Sequence, residues 1–138
     1  MIAEANPAPN TSTRPPQPLP PEDDLSIVRR FLGAEAVAFL VASLVHRGWL
    51  INGYSHHRAA IAETVIAIVL ALGFAATWAM PRRPLVPGWI AQIFALIGTC
   101  IGIFVSIRGI GPQTFADAIY HTAMLLVLIG GCVAFAKR

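Results

Sequence analysis

Four apolar runs of about 20 residues each dominate this chain and limit what it can fold into. They cover roughly residues 31–50, 59–80, 85–107 and 115–136. A helix rises ~1.5 Å per residue, so about 20 residues cross a hydrocarbon core ~30 Å thick. Strands of a membrane barrel would be about half as long and would alternate apolar with polar residues. These runs do not alternate, and in lipid a continuous helix is then the form that satisfies the backbone. The expected class is all-α, a four-helix transmembrane bundle.

The breaks between runs are short. Gly48 to Ser55 ends the first run, Pro81-Arg82-Arg83-Pro84 with Pro87-Gly88 divides the second from the third, and Gly109, Gly111 and Pro112 divide the third from the fourth. Short connections make consecutive helices antiparallel neighbours, so an up-down order is expected. Trp49, Tyr54, Trp78 and Trp89 fall near run ends, as an interfacial aromatic belt requires. Gly98-x-x-x-Gly102 has the small-residue spacing that lets helices approach closely, within the bundle first and between copies second.

Composition supports a lipid-facing exterior. Charged residues make up 12% of the chain and apolar residues 56%, with mean hydropathy +0.65. A water-soluble domain needs about 25% charged residues. The net charge of +3 does not form a continuous basic face, so nucleic acid is not an expected partner. The expected partner is the bilayer, with a homo-oligomer or a larger membrane complex beyond it. Cys100 and Cys132 each lie inside an apolar run and form no CxxC, so they read as buried free thiols acting as small apolar residues.

Residues 1–24 form a different segment. They hold seven of the eleven prolines, interspersed with Asn, Thr and Ser. Such a stretch cannot bury enough apolar area to offset its chain entropy, so a disordered cytoplasmic tail is expected, followed by a membrane domain over residues 25–138. Asp23 and Asp24 stand where a helix cap would start that domain. With the N-terminus inside, Arg14, Arg29, Arg30, Arg82, Arg83, Lys137 and Arg138 fall inside and Arg47, Arg58 and Arg108 outside. The asymmetry favours both termini on the cytoplasmic side, as in a bacterial inner-membrane protein.

Under that topology the ionisable residues of the runs segregate. His46, His56, His57 and His121 all fall at the outer end, joined by Glu63 and Asp117. A carboxylate just inside a span is costly unless it is paired, protonated or bound to a cation. The spacings place them inward. Glu35, Phe39, Ala42 and His46 share one stripe, and Gln92, Thr99 and Ser106 recur every seven residues. His56 and Glu63 share a face if the second helix starts early, and Asp117 and His121 are one turn apart. Imidazole and carboxylate together are the ligand set of zinc, copper or iron, and equally the parts of a proton relay. A b-type haem held by His46 and His121 is a further use of the same residues. Against these stand plainer roles. Thr114-x-x-Asp117 is a capping-box spacing, His46 can close a helix end, and Glu63 can pair with His121 or Arg58. At the other end Glu35 and Gln92 form a second polar pair, with Arg30 an alternative partner for Glu35.

No soluble-enzyme signature occurs, neither a nucleophile elbow nor a phosphate loop nor a dinucleotide fingerprint. The leading expectation is therefore a metal-binding or proton-handling membrane protein with a transport, sensing or redox accessory role. A structural or assembly subunit of a larger complex comes second. A membrane enzyme using Glu63 or His121 as acid or base comes last.

Overall fold

A computed structural model describes residues 22–80 and 82–138. It is all-helical among the described residues, with α1 at Glu22–His46, α2 at His57–Ala79, α3 at Leu85–Ile107 and α4 at Phe115–Ala136. The Pro-rich segment up to residue 21 lies outside the described residues. Helix α1 starts at Glu22, so residues 22–24 are already helical rather than part of a tail.

Three helices, α2, α3 and α4, are long and apolar enough to cross a membrane. With 22 or 23 residues each they extend about 33–35 Å. Their outward residues are large and apolar, among them Leu72, Ile90, Ile101 and Leu126, all more than half exposed. An apolar exterior on this scale is far larger than the patches water-soluble monomers tolerate. Helix α1 does not join the three. The run expected over residues 31–50 is interrupted, because the helix stops at His46 and residues 47–50 form a turn. Between Arg30 and His46 the apolar stretch is shorter than a span needs, and it contains Glu35.

The polar content of α1 faces its neighbours. Helix α1 packs against α2, α3 and α4, and α3 also packs against α2 and α4; the α2 and α4 backbones do not approach closely among the described residues. Near the start of α1, Arg29 donates from Nε to Thr77 Oγ1 at 3.1 Å and from Nη2 to the Thr77 carbonyl at 3.0 Å. It thereby caps one carbonyl that the end of α2 leaves free. The same guanidinium lies 3.4 Å from the centre of the Trp78 ring. Near the end of α1, Ser43 donates to the Ala60 carbonyl at 2.9 Å, and Arg47 donates to Thr64 at 3.0 Å. These contacts join the start of one helix to the end of the next.

Glycine sets two of the helix contacts. A Cβ at Gly73 of α2 would lie 2.4 Å from the Cβ of Ala91 in α3, and one at Gly131 of α4 would lie 2.3 Å from Gln92 Nε2. The spacing motif at Gly98 and Gly102 also faces inward, Gly98 against Ile66 of α2 and Gly102 against His121 of α4. Two helix ends are closed by Gly48 and Gly109, which take φ of 75° and 77°. At the first, Gly48 N–H reaches the Val45 carbonyl and Trp49 N–H the Leu44 carbonyl; at the second, Gly109 and Ile110 repeat the pattern on Ser106 and Val105.

Because Ala91 has no flexible end to move aside, Gly73→Ala is expected to force α2 from α3 and cost about 1–3 kcal/mol. Gly130→Ala, whose nearest neighbour would be the Phe31 ring at 3.7 Å, is expected to be near neutral. Thermal unfolding of both variants in the same detergent checks this, and equal melting temperatures would refute the packing account.

Candidate functional site

The site is built on the last residue of α1. His46 is 2% exposed, and both of its ring nitrogens meet carboxylates. Nδ1 lies 2.6 Å from Glu63 Oε2 on α2, and Nε2 lies 3.1 Å from Asp117 Oδ1 on α4. Both acids are 5% exposed. The helices hold them by local chemistry. The Schellman turn at Gly48 ends α1 so that His46 is its final residue, and His56 N–H bonds the His46 carbonyl at 2.8 Å, drawing the loop back over it.

Asp117 has two tasks, one for each oxygen. Oδ2 accepts from Thr114 N–H at 3.1 Å and from Thr114 Oγ1 at 2.5 Å, while Thr114 Oγ1 accepts from Asp117 N–H at 3.2 Å. This is the capping box that the spacing predicts, at the helix end where a negative charge is favoured. Oδ1 accepts from the Tyr54 hydroxyl and faces His46. Tyr54 also stacks on the His46 ring, with centroids 5.5 Å apart and planes 28° from parallel. Burial, reinforced by its bond to Asp117, pushes the Tyr54 hydroxyl up to about 12, so it stays a donor at ordinary pH.

Proton counting follows from the geometry. A neutral imidazole has one N–H and one lone pair, and a lone pair facing a carboxylate oxygen repels it. Each of the two short contacts therefore contains a proton, whether the ring is an imidazolium or an acid is protonated. In either arrangement Glu63, His46 and Asp117 together carry one net negative charge and share protons across three helices.

The six residues anticipated from sequence do not all meet. His46, Glu63 and Asp117 form the network. His56 precedes α2 as its N-cap instead of sharing a face with Glu63, and its side chain makes ring contacts, 6.0 Å from His46 and 5.2 Å from Tyr54. His57 is exposed at the first turn of α2. His121 is pinned by Nδ1 to the Asp117 carbonyl of its own helix at 2.8 Å, and its ring makes no hydrogen bond to His46, Glu63 or the Asp117 carboxylate. Among the described residues no three His, Cys, Asp or Glu side chains are grouped to hold a metal ion. The transition-metal reading loses its ligand set for this reason, and His46 has no free nitrogen to offer a haem. Tyr54 was expected in an aromatic belt; it is a member of the cluster instead.

The second polar pair forms as expected with Gln92, not Arg30. Gln92 Nε2 donates to Glu35 Oε1 at 2.8 Å and to the Leu128 carbonyl at 3.0 Å, joining α1, α3 and α4. Both side chains are fully buried, and Glu35 Oε2 and Gln92 Oε1 have no hydrogen-bond partner. The cysteines are free, but Cys100 is exposed on α3 and Cys132 is half-buried, so only the second approaches the interior position expected of it.

No family model matches the chain, and no curated protein or solved structure shows significant similarity to it.

Removing His46 leaves two buried carboxylates without their shared partner, so His46→Ala is expected to cost about 3–5 kcal/mol. Tyr54→Phe removes one donor from Asp117 and is expected to cost about 1–3 kcal/mol. His57→Ala, at an exposed position, is expected within about 0.5 kcal/mol of wild type. Denaturant unfolding in mixed micelles ranks the three, and any other order contradicts the network.

Ultraviolet tyrosinate titration, with Tyr54→Phe subtracted, is expected to show Tyr54 ionising near pH 12. Its raised value means the stabilisation from the neutral hydroxyl is complete below about pH 10 and is lost as pH rises through 12. Ionisation near about pH 10 would mean that its hydroxyl is not buried on Asp117.

Proposed function

We propose that the chain is a four-helix up-down bundle in a membrane, and that Glu63, His46 and Asp117 form a proton-exchanging relay near one face. One observation carries the reading: a buried imidazole holds both ring nitrogens against carboxylates contributed by two other helices. Two buried acids and one imidazole sharing protons make a group that gains or loses a proton with small rearrangement. A membrane interior tolerates such a group mainly where it does proton or ion work. The reaction class is reversible protonation, in a transport or sensing role.

Helix α1 enters the membrane as the fourth span in this reading. Its support is that Arg29, Glu35, Ser43 and His46 all spend their polarity on neighbouring helices. The Lys and Arg asymmetry supports an orientation with both termini on the cytoplasmic side, as in a bacterial inner-membrane protein, and the relay on the outer side. Reporter fusions at each end test that orientation.

A second reading is favoured by the capping box. Asp117 Oδ2 is fully used in closing α4, which suits a clamp that fixes α1, α2 and α4 in a subunit of a larger assembly.

Infrared difference spectra of liposome-reconstituted protein, taken between about pH 5 and about pH 8, separate the two. Proton exchange is expected to give a carboxyl band that changes with pH in step with imidazole bands, and that disappears in Glu63→Gln. A spectrum without pH-dependent carboxyl or imidazole bands would overturn the relay and leave the clamp.

A further inference from the structure

Helices α2 and α4 are held apart, and the gap between them over α3 contains a cavity of about 170 Å³. Its walls are mostly apolar, with Phe39, Ile66, Gly98 and Gly102 among them. Three polar groups not used by the relay converge there. Glu63 lines the cavity and is 5% exposed; its Oε2 serves His46, but its Oε1 is buried without a hydrogen-bond partner. The Tyr120 hydroxyl is likewise buried and has no hydrogen bond of good geometry, although the Glu63 carboxylate is within its reach. His121 gives its Nδ1 hydrogen to the Asp117 carbonyl, which leaves Nε2 as a lone-pair acceptor beside Gly102.

We propose that this cavity binds a neutral, lipophilic phenol, a single aromatic ring whose hydroxyl donates to His121 Nε2 or Glu63 Oε1. The volume suits one ring, since an apolar cavity of about 150 Å³ accepts benzene. The polar set specifies the head. A carboxylate oxygen and an imidazole lone pair are acceptors, and Tyr120 can act either way, so the matching ligand brings a hydrogen-bond donor. A buried acceptor served only in poor geometry is costly, and a further donor brought to Glu63 Oε1 or His121 Nε2 reduces that cost. Neutrality follows from charge already present. Glu63 is met by His46, and the exposed Arg58 borders the same cavity and disfavours a cation. A ring entering from lipid is chemically the kind of molecule that apolar walls with a few convergent polar groups select. The proposal stands apart from proton exchange, because Glu63 offers Oε1 as an acceptor wherever the relay protons sit.

The test is nitrogen NMR of the histidine side chains in the full chain, purified in detergent and titrated with p-cresol. The expected result is a saturable shift of the His121 Nε2 signal. The methyl ether p-methylanisole, which keeps the ring and loses the donor, is expected to bind about tenfold more weakly or worse. Gly102→Ala supplies a variant that still folds. Its Cβ would lie 3.6 Å from His121 Nε2, an ordinary contact, yet it occupies the space a hydroxyl needs, so the shift should weaken at least about fivefold. Equal affinity for the ether would mean a greasy void without recognition and overturn the proposal. An unshifted His121 signal, or an unchanged response in Gly102→Ala, would also overturn it. Tighter binding of p-methylbenzylammonium than of p-cresol would replace the phenol with a cation. Loss of the infrared carboxyl response with p-cresol binding intact would strike the relay alone.

Discussion

A carboxylate taken out of water needs a partner, and in this chain helix α1 is involved in every such pairing. Glu35 on α1 has Gln92, and Glu63 and Asp117 share His46. Withdraw α1 and the acids on α2 and α4 lose the imidazole they share, leaving Asp117 only its bonds from Thr114 and Tyr54. The helix least suited to lipid by composition is for that reason the one that fixes the others. Its apolar residues Val28, Leu32 and Phe39 are buried beside its polar ones, so packing and pairing lie on the same stripe. Lipid-facing helices gain little from apolar contact with one another, and interhelical hydrogen bonds with close small-residue packing take over that role. Ser43 on Ala60, Arg29 on Thr77, and Gly73 against Ala91 are each of that kind.

Helix number and class were legible because hydrophobic length is a one-dimensional property. The limits of α2, α3 and α4 follow Pro and Gly breaks within a residue or two of where those breaks place them. α1 was harder, since its end depends on Gly48 in a left-handed turn and its start on residues that look like linker. Its apolar run continued through Trp49 and Leu50, which are exposed turn residues. Hydropathy cannot tell an apolar turn from the last turn of a helix.

The candidate site was half legible. Periodicity put Glu35, His46 and Gln92 on inward stripes, and all three are buried. Spacing gave the capping box at Thr114 and Asp117. What periodicity could not supply is azimuth between helices. His121 and Asp117 are one turn apart, yet the Asp117 side chain points toward α1 while His121 lines the cavity over α3. The seven-residue spacing that puts His56 on one face with Glu63 holds only inside a helix, and His56 is the N-cap of α2; His57 is exposed beside it. Tyr54 was overlooked because loop aromatics near a run end are ordinarily interfacial. The one available signal was its place between two histidines and a capping acid once the loop folds back, a tertiary fact.

The wide backbone spacing of α2 and α4 connects the two polar features at this end. In a bundle where all neighbours touch, Glu63 and Asp117 could approach each other and repel; here His46 stands between them, and its ring sets their separation. The same separation opens the space over α3 into which Glu63 turns its other oxygen and His121 its free nitrogen. Glu63 is thus the residue common to both, with Oε2 on His46 and its side chain also lining the cavity. A change of protonation at Glu63 would alter the charge on an atom that lines the cavity, and a donor placed against Oε1 would favour the ionised carboxylate. Such an effect would need no moving helix, only the two oxygens of one carboxylate.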